Sequence, residues 1–166
     1  YNDSKIAMES PFLVQDPLFN SILMRSNEAL IKLYKIIGGN QDKINYLKTK
    51  NEKSKNGMNK KLYNKDLNAY VHYDLRNDKP ISFISSSSFI PFFCGAPSMT
   101  RAKMLLKTLI TKFADSKFYL CASFDPKNRL FNPKKYWRGP VWINLNWMLY
   151  NGLKRYDFND VARRIK

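Results

Sequence analysis

The spacing of apolar residues along this chain reads as a succession of helices. In "DPLFNSILMRSNEALIKLYKIIGG", Leu18, Ile22, Ala29, Leu33 and Ile36/Ile37 recur at steps of three, four or seven residues, the period of one helix face. Asp16 stands where an N-cap belongs, Pro17 at the first helical position and Gly38-Gly39 at the stop. A second helical stretch starts near Gln41. It is polar and holds Gly57, and its Lys/Asn-rich part, 48–65, reads as an exposed insertion. "NAYVHYDLRNDKP" alternates like a short extended segment closed by a turn. A short buried helix is predicted around Ser88 to Cys94, stopped by Gly95 and Pro97, and Ser98 then caps an amphipathic helix that runs through Phe113. The segment from Phe118 to Pro140 contains Pro126, Pro133 and Pro140 and reads as a long irregular connection. Pro140 opens a helix that ends near Asp157, and "FNDVARRIK" begins another. Strand is scarce. Long connections between helices are compatible with helical hairpins whose loops gather on one face.

Composition narrows the classes. A chain of 166 residues fits one domain, 1–166, with a real core. It has no run of about 18 apolar residues, so no membrane span is expected. The N-terminal segment has no basic stretch followed by an apolar one, so it is not a signal peptide. A start at Tyr1 and an end inside an opening helix read as a piece cut from something larger. Cys94 and Cys121 sit in apolar surroundings and His72 is the single histidine, which argues against zinc and for buried free thiols, with one disulfide as the alternative. The formal charge of +16, from 29 Lys+Arg against 13 Asp+Glu, raises the question of nucleic acid or another anionic partner. Much of the excess lies in the 48–65 stretch, where Tyr63 is the one aromatic residue, and a nucleic-acid surface needs aromatics interleaved with its charge. Compositional drift is the preferred explanation, and no nucleic acid is expected.

All three tryptophans fall within "KKYWRGPVWINLNWMLYNGLKRY". On a helix, Trp142 and Trp147 lie about 140° apart. One face, Ile143, Trp147 and Tyr150, reads as core. Its neighbour, Trp142, Asn146, Leu149 and Leu153, is apolar but opens on a tryptophan and an amide. Trp137 precedes the helix, between Tyr136 and Arg138. It is either a hydrophobic anchor for the loop, with Arg138 bonding carbonyls, or a sugar platform. Sugar rings stack their C–H faces on aromatic rings, while their hydroxyls need amides, arginines and carboxylates. The residues alone leave both readings open.

"YWRGPVWINLNWMLYNGLKRY" closely resembles the signature of glycoside hydrolase family 63, departing from it at Leu145 and carrying Asp157 where a glycine is usual. "DPLFNSILMRSNEALIKLYKIIG", "FIPFFCGAPS" and "FDPKNRLFNPKKYWRGP" resemble, in order, segments of the mannosylglycerate-hydrolase-like branch. The resemblance implies an all-α fold, about half of an (α/α)6 barrel with the active site where the loops meet. It implies hydrolysis of an α-linked glucosyl or mannosyl unit with inversion, by an acid and a base about 6.5–9.5 Å apart. No metal or organic cofactor is implied. By the motif match, Tyr136, Trp137 and Trp142 line the sugar subsite, Arg138 supports it, and Asn144 and Asn146 hold the junction. The family's acid, an Asp, belongs to an upstream segment and its base, a Glu, to a downstream one, and neither has a counterpart here. Asp16 reads as a cap and Asp125 as a turn residue; Asp74 reads as a turn residue, with a cleft-facing position as the alternative.

Within the resemblance, Asn146-Trp147 and the DPLFN segment favour the branch that acts on small glycosides. The alternative is the processing mannosyl-oligosaccharide glucosidase of N-glycan trimming. The favoured compartment is the cytoplasm, with the endoplasmic reticulum lumen as the alternative. A basic nucleic-acid module and a non-catalytic remnant are the readings from other classes.

Overall fold

The computed structural model describes residues 3–113 and 121–165. A short helix α1 (Asp3–Glu9) leads to strand β1 (Val14–Gln15) and the long helix α2 (Pro17–Ile36). Helix α2 starts as its sequence directs: the Asp16 carboxylate accepts from the Leu18 and Phe19 amides, with Pro17 next. Helix α3 (Gln41–Gly57), capped by Asn40, runs back along α2 and passes into a π-helical turn at Met58–Leu62. Met58 and Leu62 enter the core from that turn, while the lysines of the 48–65 stretch line its outer side.

Strands β2 (Tyr63–Asn64) and β3 (Ala69–Tyr70) form one antiparallel pair. Strand β4 (His72–Asp74) pairs with β1 on one side and β5 (Lys79–Ile81) on the other, so the extended segment and its turn form as predicted. Asp74 is the turn residue: its carboxylate accepts from the Arg76 and Asn77 amides and the Asn77 side chain. A 3-10 turn (Ser86–Phe89) and the short helix α4 (Pro91–Cys94) follow, ended by Gly95. Helix α5 (Met99–Phe113), α6 (Ile143–Arg155) and α7 (Asn159–Ile165) complete the order.

The core is built from Phe89, Ile90 and Phe92 around α4, Leu105 and Leu109 of α5, Leu149 and Leu153 of α6, and Tyr70 and Tyr156. Helices α4 and α6 touch so closely that a Cβ on Gly152 would lie 2.6 Å from the Phe93 nitrogen. Helix α2 packs against α3 and α4. Its buried residues are Pro17, Ser21, Met24 and Asn27, small or polar in three cases of four. The apolar positions that signalled the helix lie mostly outward: Leu33, Ile36 and Ile37 are exposed, as are Phe19, Leu23 and Leu30.

Candidate functional site

The irregular connection from Cys121 to Trp142 doubles back on itself, and its two arms are tied by backbone. Ala122 bridges Val141, and the Ser123 amide donates to the Pro140 carbonyl at 3.0 Å. The Ser123 hydroxyl accepts from the Gly139 amide at 3.0 Å. Gly139 is required by space: a Cβ there would sit 2.5 Å from the Asn132 oxygen and the Pro133 Cα. The outer loop is made of side-chain turns, with Asn128 capping Leu130 and Asn132 capping Lys134. Asp125 fulfils its turn role by accepting from the Lys127 amide, and it is also 4% exposed and paired with Lys112 Nζ at 3.0 Å. That ion pair fastens the connection to α5.

At the tip, three rings gather. Tyr136 and Trp142 have centroids 4.5 Å apart, Trp137 and Trp142 5.4 Å, and Tyr136 and Trp137 5.5 Å. The Trp142 indole N–H donates to the Tyr136 carbonyl at 3.2 Å. Tyr136 is exposed and Trp137 is 53% exposed, so this cluster is a shelf on the surface and not a plug in the core. Arg138 stands beside it, exposed, and its guanidinium makes no hydrogen bond or ion pair among the described residues. Its backbone does the bonding: the Asn132 amide donates to its carbonyl at 2.7 Å and its own amide donates to Lys135. The structure thus brings Tyr136, Trp137 and Trp142 into contact, with Arg138 next to them on the open side of the loop.

Two expectations for the following helix are corrected. The helix starts at Ile143 and not at Pro140, because Trp142 is the extended N-cap residue, with φ −106° and ψ 115°. Of the face read as core, Tyr150 packs against the core, but Ile143 and Trp147 do not lie in it. Ile143 is 80% exposed and Trp147 58%, and the Trp147 and Phe93 rings meet edge to face with centroids 5.8 Å apart. The buried face is Leu145, Asn146, Leu149, Gly152 and Leu153. Asn146 holds the junction as expected. Its amide accepts from the Cys121 nitrogen at 2.6 Å and donates to the Cys121 carbonyl at 2.9 Å and the Trp142 carbonyl at 3.0 Å. Asn144, its partner in the sequence motif, is exposed.

The buried or half-buried carboxylates have structural partners. Burial opposes ionisation of Asp16, but the His72 ring at 3.1 Å and the Leu18 and Phe19 amides outweigh it and hold the carboxyl below its ordinary range. Glu28 of α2 is gripped by Arg25 and, with two hydrogen bonds, by Arg155 of α6. Burial again opposes its ionisation, and the two guanidiniums overcome it. Cys94 and Cys121 are free and buried, and burial pushes both thiols up. Among the described residues no cluster of three His, Cys, Asp or Glu could hold a metal ion, and no helix is long and apolar enough to cross a membrane.

Sequence reasoning missed Ser123 and the Lys112–Asp125 pair. Ser123 sits in a plain apolar context and its partner is 16 residues away, so no local signal marks it.

A helical array with loops that carry an aromatic shelf at a helix N-terminus defines the class: the chain is part of an (α/α)6 barrel. The crystal structure of the glycoside hydrolase family 63 mannosylglycerate hydrolase from Thermus thermophilus in complex with glucose has a TM-score of 0.90 and 33% identity, over 99% of this chain and 41% of that one. Neutral trehalase Nth1 from Saccharomyces cerevisiae shares the fold, with a TM-score of 0.78 at 15% identity over 92% of this chain and 30% of that one. The family is narrower: residues 1–166 match the mannosylglycerate hydrolase MGH1-like glycoside hydrolase domain, and the chain belongs to that family. It is 34% identical over 166 residues to a mannosylglycerate hydrolase of Thermus thermophilus, covering all of this chain and 39% of that protein. The chain spans between a quarter and about two fifths of the length of the curated relatives it matches.

Proposed function

We propose that the protein to which this chain belongs is an inverting α-glycosidase acting on small mannosyl or glucosyl glycosides with an anionic aglycone such as glycerate. In this reading the chain supplies the sugar-binding wall. The observation that carries it is the solvent-facing shelf of Tyr136, Trp137 and Trp142, on a connection tied at its base by Ser123 and Asn146, in a chain of this family. Exposed aromatic surface costs solvation unless a ligand covers it, and a pyranose ring offers a matching apolar face. Trp137 and Trp142 stack on the sugar, Tyr136 backs them, and Arg138 donates to hydroxyls or a carboxylate. Inversion needs an acid and a base flanking a water, about 6.5–9.5 Å apart. Asp16, Glu28 and Asp125 are committed to a cap and to ion pairs. In this reading the acid and base come from other parts of the parent protein.

The test is hydrolysis by the full-length parent of mannosylglycerate, glucosylglycerate and trehalose, with the product anomer followed by proton NMR. The expected result is turnover of a glycerate glycoside, with the β-anomer of the sugar appearing first. Initial release of the α-anomer would overturn inversion, and turnover of trehalose alone, or of none of the three, would overturn the substrate class. Trp137→Ala should raise KM at least about tenfold, which is the loss of about 1.4 kcal/mol of binding. Because Trp137 is half exposed, the melting temperature should stay within a few degrees. A collapse of stability with KM intact would make Trp137 a loop anchor instead.

A further inference from the structure

Three polar side chains are buried around a loop that could have been anchored by apolar ones: Ser123 at 2% exposure, Asn146 at 3% and Asp125 at 4%. Asn146 uses its acceptor and both donors, and every bond goes to the two ends of the connection, Cys121 and Trp142. Ser123 closes the other side of the same strip by accepting from Gly139, three residues before Trp142. Such groups are poor choices for stability alone, since well-packed apolar residues of similar volume serve as well. What they add is direction, because a fully satisfied amide tolerates one backbone geometry. The backbone they fix carries Trp142, which sits outside the helix and whose indole donates to the Tyr136 carbonyl at 3.2 Å. The angle between the three rings therefore follows from where Asn146 and Ser123 hold the strip.

We infer that Asn146 and Ser123 are positioning residues: they set the orientation of the Tyr136–Trp137–Trp142 shelf without touching the ligand. The consequence for binding rests on the sugar-shelf reading above; the geometric claim does not.

The experiment uses the full-length parent protein with Asn146→Ala, Ser123→Ala and a control, Leu109→Ala, which opens a cavity in the α5 core without removing a hydrogen bond of the connection. Two quantities are read beside the melting temperature: the near-ultraviolet circular dichroism of the coupled rings, and KM separately from kcat. In both connection variants the aromatic band should change, and KM should rise about tenfold for Asn146→Ala and less for Ser123→Ala, with kcat within about threefold. Leu109→Ala should melt lower yet keep the band and KM, since a lost folded fraction lowers apparent kcat alone. If Asn146→Ala does not fold, Ser123→Ala decides. A native band and native KM in the folded variants would overturn the inference. A changed band in a parent that hydrolyses no glycoside would leave the positioning role standing and remove the glycosidase reading.

Discussion

Glu28 illustrates how single residues lock helices together here. It sits on α2, accepts from Arg155 on α6, and is also paired with its neighbour Arg25. Its carboxyl titrates below the ordinary value of 4.5: burial pulls the other way, and the guanidinium contacts prevail. A folded-state value below the unfolded one means that the unfolded chain takes up the proton first. The stabilisation is then complete above about pH 4.5 and fades as pH falls through the folded value. Glu28→Gln should lower the melting temperature at pH 7 and flatten the acid limb of a plot of melting temperature against pH, measured in thermal melts from about pH 7 to pH 3. An unchanged acid limb would show that the pair contributes nothing. Asp157 is a second informative residue. It adopts φ 61°, in the left-handed region, at the position where the signature usually has glycine. Asp157→Gly should relieve roughly 1 kcal/mol of strain and raise the melting temperature by a few degrees.

At the scale of elements, α4 and α6 approach closely at Gly152. A Cβ on Gly152 would meet Phe92 Cβ at 2.7 Å as well as the Phe93 nitrogen. Gly152→Ala should therefore cost about 1–3 kcal/mol by overpacking, seen as a lower midpoint in urea with an unchanged slope. Most elements were legible in the sequence because their signals are local. The Asp16-Pro17 start of α2, the Ser98 cap of α5 and the Gly95 stop of α4 all act within a turn of their own position. Faces were less legible. Periodicity identified α2 and α6 as helices but could not say which stripe turns inward, since that depends on partners elsewhere in the chain. In α6 the buried stripe includes an amide and a glycine, and the exposed one includes Trp147. The start of α6 differs from expectation for a related reason: Pro140 suits a first helical position, but the bridge of Val141 to Ala122 keeps the chain extended until Trp142. The three rings of the shelf were legible as candidates, whereas the brace beneath them was not, because its bonds span 16 and 25 residues.

For the molecule as a whole, the outward stripe of α2 is the largest departure from a self-contained domain. Phe19, Leu23, Leu30, Leu33 and Ile37 follow one face at helical spacing and all are exposed. In isolation the 166-residue chain should self-associate, and Leu30→Glu with Leu33→Glu should shift it towards monomer in size-exclusion chromatography with light scattering. In a parent of the relatives' length, of which this chain would be about two fifths, the same pair should lower the melting temperature, because further chain would cover the stripe. A soluble, monomeric wild-type chain would show that the stripe needs no cover. The two free cysteines give the fold a built-in clock. Cys121 lies under the tied end of the connection and Cys94 in the central core, each with a thiol that burial keeps protonated. Neither reacts with a thiol reagent until its cover opens. The labelling rate of Cys121 therefore counts how often the tied base of the connection opens, and that of Cys94 how often the packing around α4 does, so the ratio of the two separates a loosened connection from a loosened helix core.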